Sequence, residues 1–139
     1  MLATKPYLKL ADAKAILAAA EAHALANRWA VAIIVTDESG NPLASLRLDG
    51  CAPMAGQIAA EKARVAALSR RESGFYENMI NQGRTAFVSA PLTGFLEGGV
   101  PVLVDGHCIG AVGVSGVKSE QDAAVAKAGV SALSDASTQ

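Results

Sequence analysis

The sequence has few aromatic residues, few histidines and few cysteines. Aromatics are 4% of its 139 residues, and His and Cys occur twice each. Cys51 and Cys108 show neither CxxC nor zinc-ligand spacing. This excludes a disulfide framework and predicts reduced thiols in a cytosolic setting, acting as small apolar side chains. His23 and His107 are too far apart in sequence to form a local metal motif. Twelve basic residues face thirteen acidic ones, a net charge of −1, so no strong field draws in nucleic acid. The densest basic run, Arg70-Arg71, is followed at once by Glu72 and reads as a solvated helix end. No apolar run is long and unbroken enough to span a bilayer, and MLATKPYLKL lacks the apolar core of a secretory signal. A cytoplasmic protein with neither membrane nor nucleic-acid partners is expected.

What the chain does have is alanine, within a hydrophobic fraction of 51%. Its length fits one domain over 1–139. Small side chains bury little area each but let helices lie close to a sheet, and part of the apolar surface is expected to be covered by self-association. Residues 10–27 read as a helix with Leu10, Ala13, Leu17, Ala20 and Ala24 as its apolar stripe. Lys9 at its cap offers no acceptor, while Asp12 suits the first turn. WAVAIIVT, residues 29–36, is β-branched and apolar enough for a strand buried on both faces, and PLASLRLD pairs back on it across the turn residues DESGN. A second helix is expected over 52–73, with Pro53 in its first turn and a small-residue stripe of Ala55, Ala59, Ala63 and Ala66. A short helix follows over 75–82, ended by Gly83.

GGVPVLVDGHCIGAVGVSG, residues 98–116, is the most glycine-rich stretch. It is no phosphate loop, because its glycines lie inside a strand rather than between a strand and a helix. GK[ST] is absent, and Ser115 in GVSG is no nucleophile elbow. Two apolar strands meeting at Asp105-Gly106 make a hairpin. Gly110 and Gly113 leave room for a helix or a ligand against the sheet, and Pro101 belongs at a strand start or on an edge. A last helix covers 119–133, where Ser119 and Asp122 resemble a capping box. The order implies an α+β fold with helices on a mostly antiparallel sheet.

Several side chains are candidates for chemistry. His23 sits at the flank of the first helix's buried stripe. It reads either as a half-buried helix histidine or as a haem or metal ligand. His107 reads as an exposed turn residue. Lys62 interrupts the small stripe of the second helix. It either snorkels to solvent, presents an ammonium to an anionic ligand, or acts as a catalytic lysine. Arg47 and Asp49 pair with each other or with Lys62, or orient a carboxylate in a pocket. Glu97, before Gly98-Gly99, is an acid beside a glycine-permissive cleft.

Four segments in order carry a family resemblance: VTDESGNPLASLRLDGC, AAEKARVAAL, GGVPVLVDGHCIGAVGVSG and DAAVAKAG. Together they resemble the GlcG/HbpS-like haem-binding family, which includes the C-terminal domain of PduO-type proteins, over residues 8–133. Asp37, Gly40, Arg47, Asp49, Lys62, Gly98, Gly99, Pro101, Asp105, Gly106, Gly110, Gly113, Ser115 and Gly116 stand where the family has the same residues. The resemblance implies a profilin-like fold with a five-stranded antiparallel sheet and helices on both faces. It also implies homo-oligomers built on dimers and reaching octamers. Functionally it implies haem or tetrapyrrole binding, in some members haem degradation, and in others a place in catabolic operons. A haem site would draw on His23 as iron ligand, Arg47, Lys62 and Arg64 for propionates, and Gly98 and Gly99 for close approach. The family's aromatic-Thr pair after Lys-Ala is replaced here by Arg64-Val65, which removes a haem-facing hydroxyl. The alternatives are a cofactor-independent accessory enzyme or a non-catalytic oligomeric scaffold. The enzyme would act on a small anionic metabolite by proton transfer or hydrolysis, with Lys62 holding the anion and Glu97 or Asp49 as acid or base.

Overall fold

The computed structural model describes residues 1–137, with side chains described through Leu133. Helix α1 spans Leu10–Ala26. The Lys9 N–H donates to Asp12 Oδ2 at 3.1 Å, so the acid three residues on does the capping that Lys9 cannot. The helix ends as Arg28 turns left-handed at φ 59° and the Trp29 N–H donates to the Ala24 carbonyl at 2.9 Å. That turn keeps Trp29 and Ala30 out of strand β1, which is Ala32–Asp37 rather than 29–36. The buried face of α1 carries Ala13, Ile16, Ala20 and Ala24, whereas Leu10 is exposed. The helix is apolar most of the way round, so spacing alone leaves its orientation open, and the bulky Ile16 takes the core.

Strand β2 is Pro42–Arg47 and pairs antiparallel with β1. Helix α2 is Met54–Ser69. It stops four residues before the expected end because Arg70 adopts the left-handed conformation, φ 60°. Helix α3, Gly74–Asn81, and a 3-10 turn, Thr85–Ser89, lead to the hairpin of β3, Gly99–Val104, and β4, His107–Ser115. Asp105 and Gly106 both have positive φ at the two-residue turn, as Asp-Gly predicts. Helix α4 is Ser119–Ser137. Its capping differs from expectation: the Lys118 N–H donates to Gln121 Oε1 at 3.3 Å, and Asp122 is engaged elsewhere.

Among the described residues the sheet has four antiparallel strands in the order β2-β1-β4-β3, one fewer than the five implied by the resemblance. At the outer edge of β3, Ser73, the residue before α3, bonds to the strand's first residue: its N–H donates to the Gly99 carbonyl at 3.0 Å and its Oγ accepts the Gly99 N–H at 2.8 Å. Pro101 then offers no donor.

The two faces of the sheet differ in side-chain size. Ile33, Val35, Val100, Val102, Val112 and Val114 form one core with Ile16, Ala20, Ala24, Val125 and Ala126 of α1 and α4. On the opposite face Ala32, Ile34 and Ala111 meet Ala55, Ala59, Ala63, Ala66 and Ala67 of α2. Helices therefore cover both faces, and the small stripe of α2 packs on the sheet as its spacing predicts. A Cβ at Gly113 would overlap the Ala59 carbonyl oxygen and come within 2.7 Å of the Ala63 nitrogen, so α2 rests directly on the β4 backbone. Among the described residues no helix is long and apolar enough to cross a membrane.

Candidate functional site

The close approach of α2 carries Lys62 inward rather than out to solvent. Lys62 is 3% exposed. Its Nζ donates to the Val114 carbonyl at 2.9 Å and to Asp122 Oδ2 at 3.2 Å. The other carboxylate oxygen of Asp122 accepts the Val117 N–H at 3.2 Å. The ammonium thus ties α2 to the first turns of α4 across the end of β4. Gly98 makes the space: with φ 134°, a Cβ there would lie 2.8 Å from Lys62 Nζ. Gly99 likewise lies against the Lys62 backbone. Burial pushes the Asp122 carboxyl above its ordinary value, while the Lys62 ammonium and the Val117 N–H pull it back and Glu97 adds to the rise. Such a pair is stable only because each charge has the other and a backbone partner.

The structure brings Lys62, Glu97, Gly98 and Gly99 into one neighbourhood and leaves Arg47, Asp49, Arg64 and His23 out of it. Lys62 does not snorkel. Arg47 and Asp49 pair neither with each other nor with Lys62, because the two ion pairs among the described residues are Lys62–Asp122 and Lys127–Glu72. Arg47 is exposed at the end of β2 and Arg64 is exposed on α2. Val65, which stands in place of the hydroxyl the resemblance implies, is fully buried. The Glu97 side chain packs against Gly74 at the start of α3, and its N–H donates to Glu77 Oε1 at 2.7 Å.

A second locale lies at the far end of α1. A cleft of about 260 Å³ is lined by Leu25, Arg28, Trp29, Ala30, Leu48 and Asp49. The His23 ring is half-buried beside it, 6.0 Å from the Trp29 ring at a tilt of 58°. His107 is exposed at the hairpin tip, as a turn residue should be. Burial pushes both thiols up, which keeps Cys51 and Cys108 protonated and fits their reading as small apolar residues. Among the described residues no group of three His, Cys, Asp or Glu side chains is placed to hold a metal ion.

Sequence reasoning missed Asp122, Arg28, Trp29 and Ser73. Asp122 carried a signal, an acid early in a helix, but that signal pointed to a cap. Arg28 and Trp29 owe their placement to the left-handed turn after α1, which nothing at those positions announces.

Residues 8–131 match the family described as haem degrading protein HbpS-like. The chain is 58% identical to Protein GlcG of Escherichia coli K12 over 112 residues, covering 81% of this chain and 84% of that protein. A crystal structure of Streptomyces reticuli HbpS carrying two substitutions superposes with a TM-score of 0.84 at 30% identity, covering 95% of this chain and 90% of that one. The structure of a PduOC–haem complex shares the fold, with a TM-score of 0.81 at 21% identity over 91% of this chain and 95% of that one. By sequence and by fold the chain belongs to the HbpS-like family.

Proposed function

We propose that this chain binds haem or a closely related tetrapyrrole at the cleft beside His23. The observation that carries the reading is the pairing of a half-buried histidine with an apolar cleft that has a cation at its rim. Trp29, Leu25 and Leu48 offer the apolar surface a flat ring needs, and Arg28 stands among them for a propionate. Among the described residues the His23 ring makes no side-chain hydrogen bond, which leaves a ring nitrogen for iron. Haem, when bound, would supply the iron and its redox chemistry. His23 would ligate it, and Trp29 would hold the His23 ring in orientation. Arg28 replaces Arg47, Lys62 and Arg64 as the propionate partner in this reading. Family membership supports it, since one relative's structure is a haem complex.

The accessory-enzyme reading fits less well, because Lys62 is buried and sealed against Asp122. We further propose that the protein works in the cytoplasm as a homo-oligomer built on dimers. Exposed Tyr7, Leu10, Met54 and Val88 support self-association, which light scattering tests directly.

A haemin titration tests the site. The expected result is a sharp Soret band that saturates at a fixed ratio per chain. It should be abolished in His23→Ala, retained in His107→Ala and weakened in Arg28→Gln. A diffuse response that never saturates and is equal in all four proteins overturns the proposal.

A further inference from the structure

The Arg70-Arg71 pair lines a groove of about 420 Å³ with Glu72, Phe75, Val100, Pro101 and Leu103. It is open and apolar at its floor: Phe75 is 45% and Leu103 54% exposed. The Arg71 guanidinium lies over the Phe75 ring, 4.3 Å from its centroid. Stacking uses the face of a guanidinium and leaves its in-plane N–H groups free to donate. Glu72, the one acid in the lining, is drawn off by Lys127 at 3.4 Å. Among the described residues, then, both arginines are without an acidic partner. Arg70 holds φ 60° at the end of α2, a conformation in which glycine is the favoured residue.

We propose that this groove is a binding site for a small-molecule carboxylate with an aromatic or branched apolar body. The apolar part would lie against Phe75 and Leu103, and the carboxylate would be held by Arg70 and Arg71. Charge complementarity carries the choice of ligand: two guanidinium groups without an acidic partner among the described residues flank an apolar floor, and carboxylates suit their fork geometry. The site is separate from the His23 cleft and does not depend on haem binding.

Phenylacetate is the probe, and phenylacetamide its neutral twin. Saturation-transfer NMR on the intact protein should show saturable binding of phenylacetate and at least tenfold weaker binding of the amide. Arg70→Gly should leave the fold intact, because glycine suits that backbone. It should lower phenylacetate affinity about tenfold or more, the usual loss for one charge-assisted contact. Arg71→Gln should do the same by a change that leaves the backbone alone. The haemin response of Arg70→Gly should match wild type, which separates this site from the one proposed above. Absence of phenylacetate binding, equal binding of the amide, or wild-type affinity in both variants overturns the proposal. A change of oligomeric state in Arg70→Gly without any ligand signal assigns the groove to a second copy of the chain and overturns it as well.

Discussion

The sheet is lined by branched side chains on the α1 and α4 side and, Ile34 apart, by alanine and glycine on the α2 side. The first face holds together by area removed from water, with Val112, Val114, Ile33 and Val35 almost fully enclosed. The second buries little per residue but brings α2 into backbone contact with β4 at Gly113. The difference teaches why a lysine can be buried here. With a bulky face beneath it α2 would stand off, and Lys62 would reach solvent along its own stem. With a smooth face the stem is drawn past the sheet's end, and the ammonium meets Asp122 from the other layer.

Substitutions on the two faces should therefore differ in kind. Gly113→Val forces a side chain into the α2 backbone and should cost at least about 3 kcal/mol, leaving little folded protein by circular dichroism. Lys62→Met strands the buried Asp122 carboxylate and should cost about 3–5 kcal/mol in urea unfolding. Asp122→Asn should cost a similar amount, about 3–5 kcal/mol, because its one amide oxygen can serve Lys62 or the Val117 N–H but not both, and the buried ammonium loses its counter-charge. The double change Lys62→Met with Asp122→Leu should return to within about 1 kcal/mol of wild type or exceed it, since both charges go together. A double variant as unstable as Lys62→Met alone would mean that the pair holds the corner by shape rather than by charge.

The same pair gives a pH signature. Burial holds the folded Asp122 carboxyl above its ordinary value of 3.8, so the native state binds that proton more tightly than the unfolded chain. The associated stabilisation is complete below pH 3.8 and is lost as the pH rises through the raised folded value. Thermal midpoints of wild type measured against the double variant should fall across that window, and a flat difference would contradict it. On the branched face, Ile33→Val removes one methylene from a fully enclosed site and should cost only about 0.5–1.5 kcal/mol. That is the smallest effect among the single substitutions, because no charge or backbone clash is involved.

Much of the fold is legible in the chain itself. Asp105-Gly106 sets its hairpin, and Pro101 is placed on an edge strand. The four alanines of α2 mark the face that packs close. The candidate sites are less legible. Lys62 stood out as an interruption in a small stripe, but its partner did not, and neither did the cleft at Trp29. Arg47 and Asp49 looked like its neighbours because they are polar and end the preceding strand, yet both are exposed while Lys62 turns inward to Asp122. The contact at the outer edge of β3 has no local signature either, since Ser73 reaches Gly99 from 26 residues away.

Turns, periodicity and helix formation depend on residues within a few positions of one another, so composition and spacing reveal them. The Lys62–Asp122 contact joins groups 60 residues apart, and the Lys62–Val114 bond joins groups 52 apart. Neither has a local signature. Each exists because Gly98, Gly99 and Gly113 let three layers close to a distance at which an ammonium and a carboxylate can share one buried space, and that distance is a property of the packed whole.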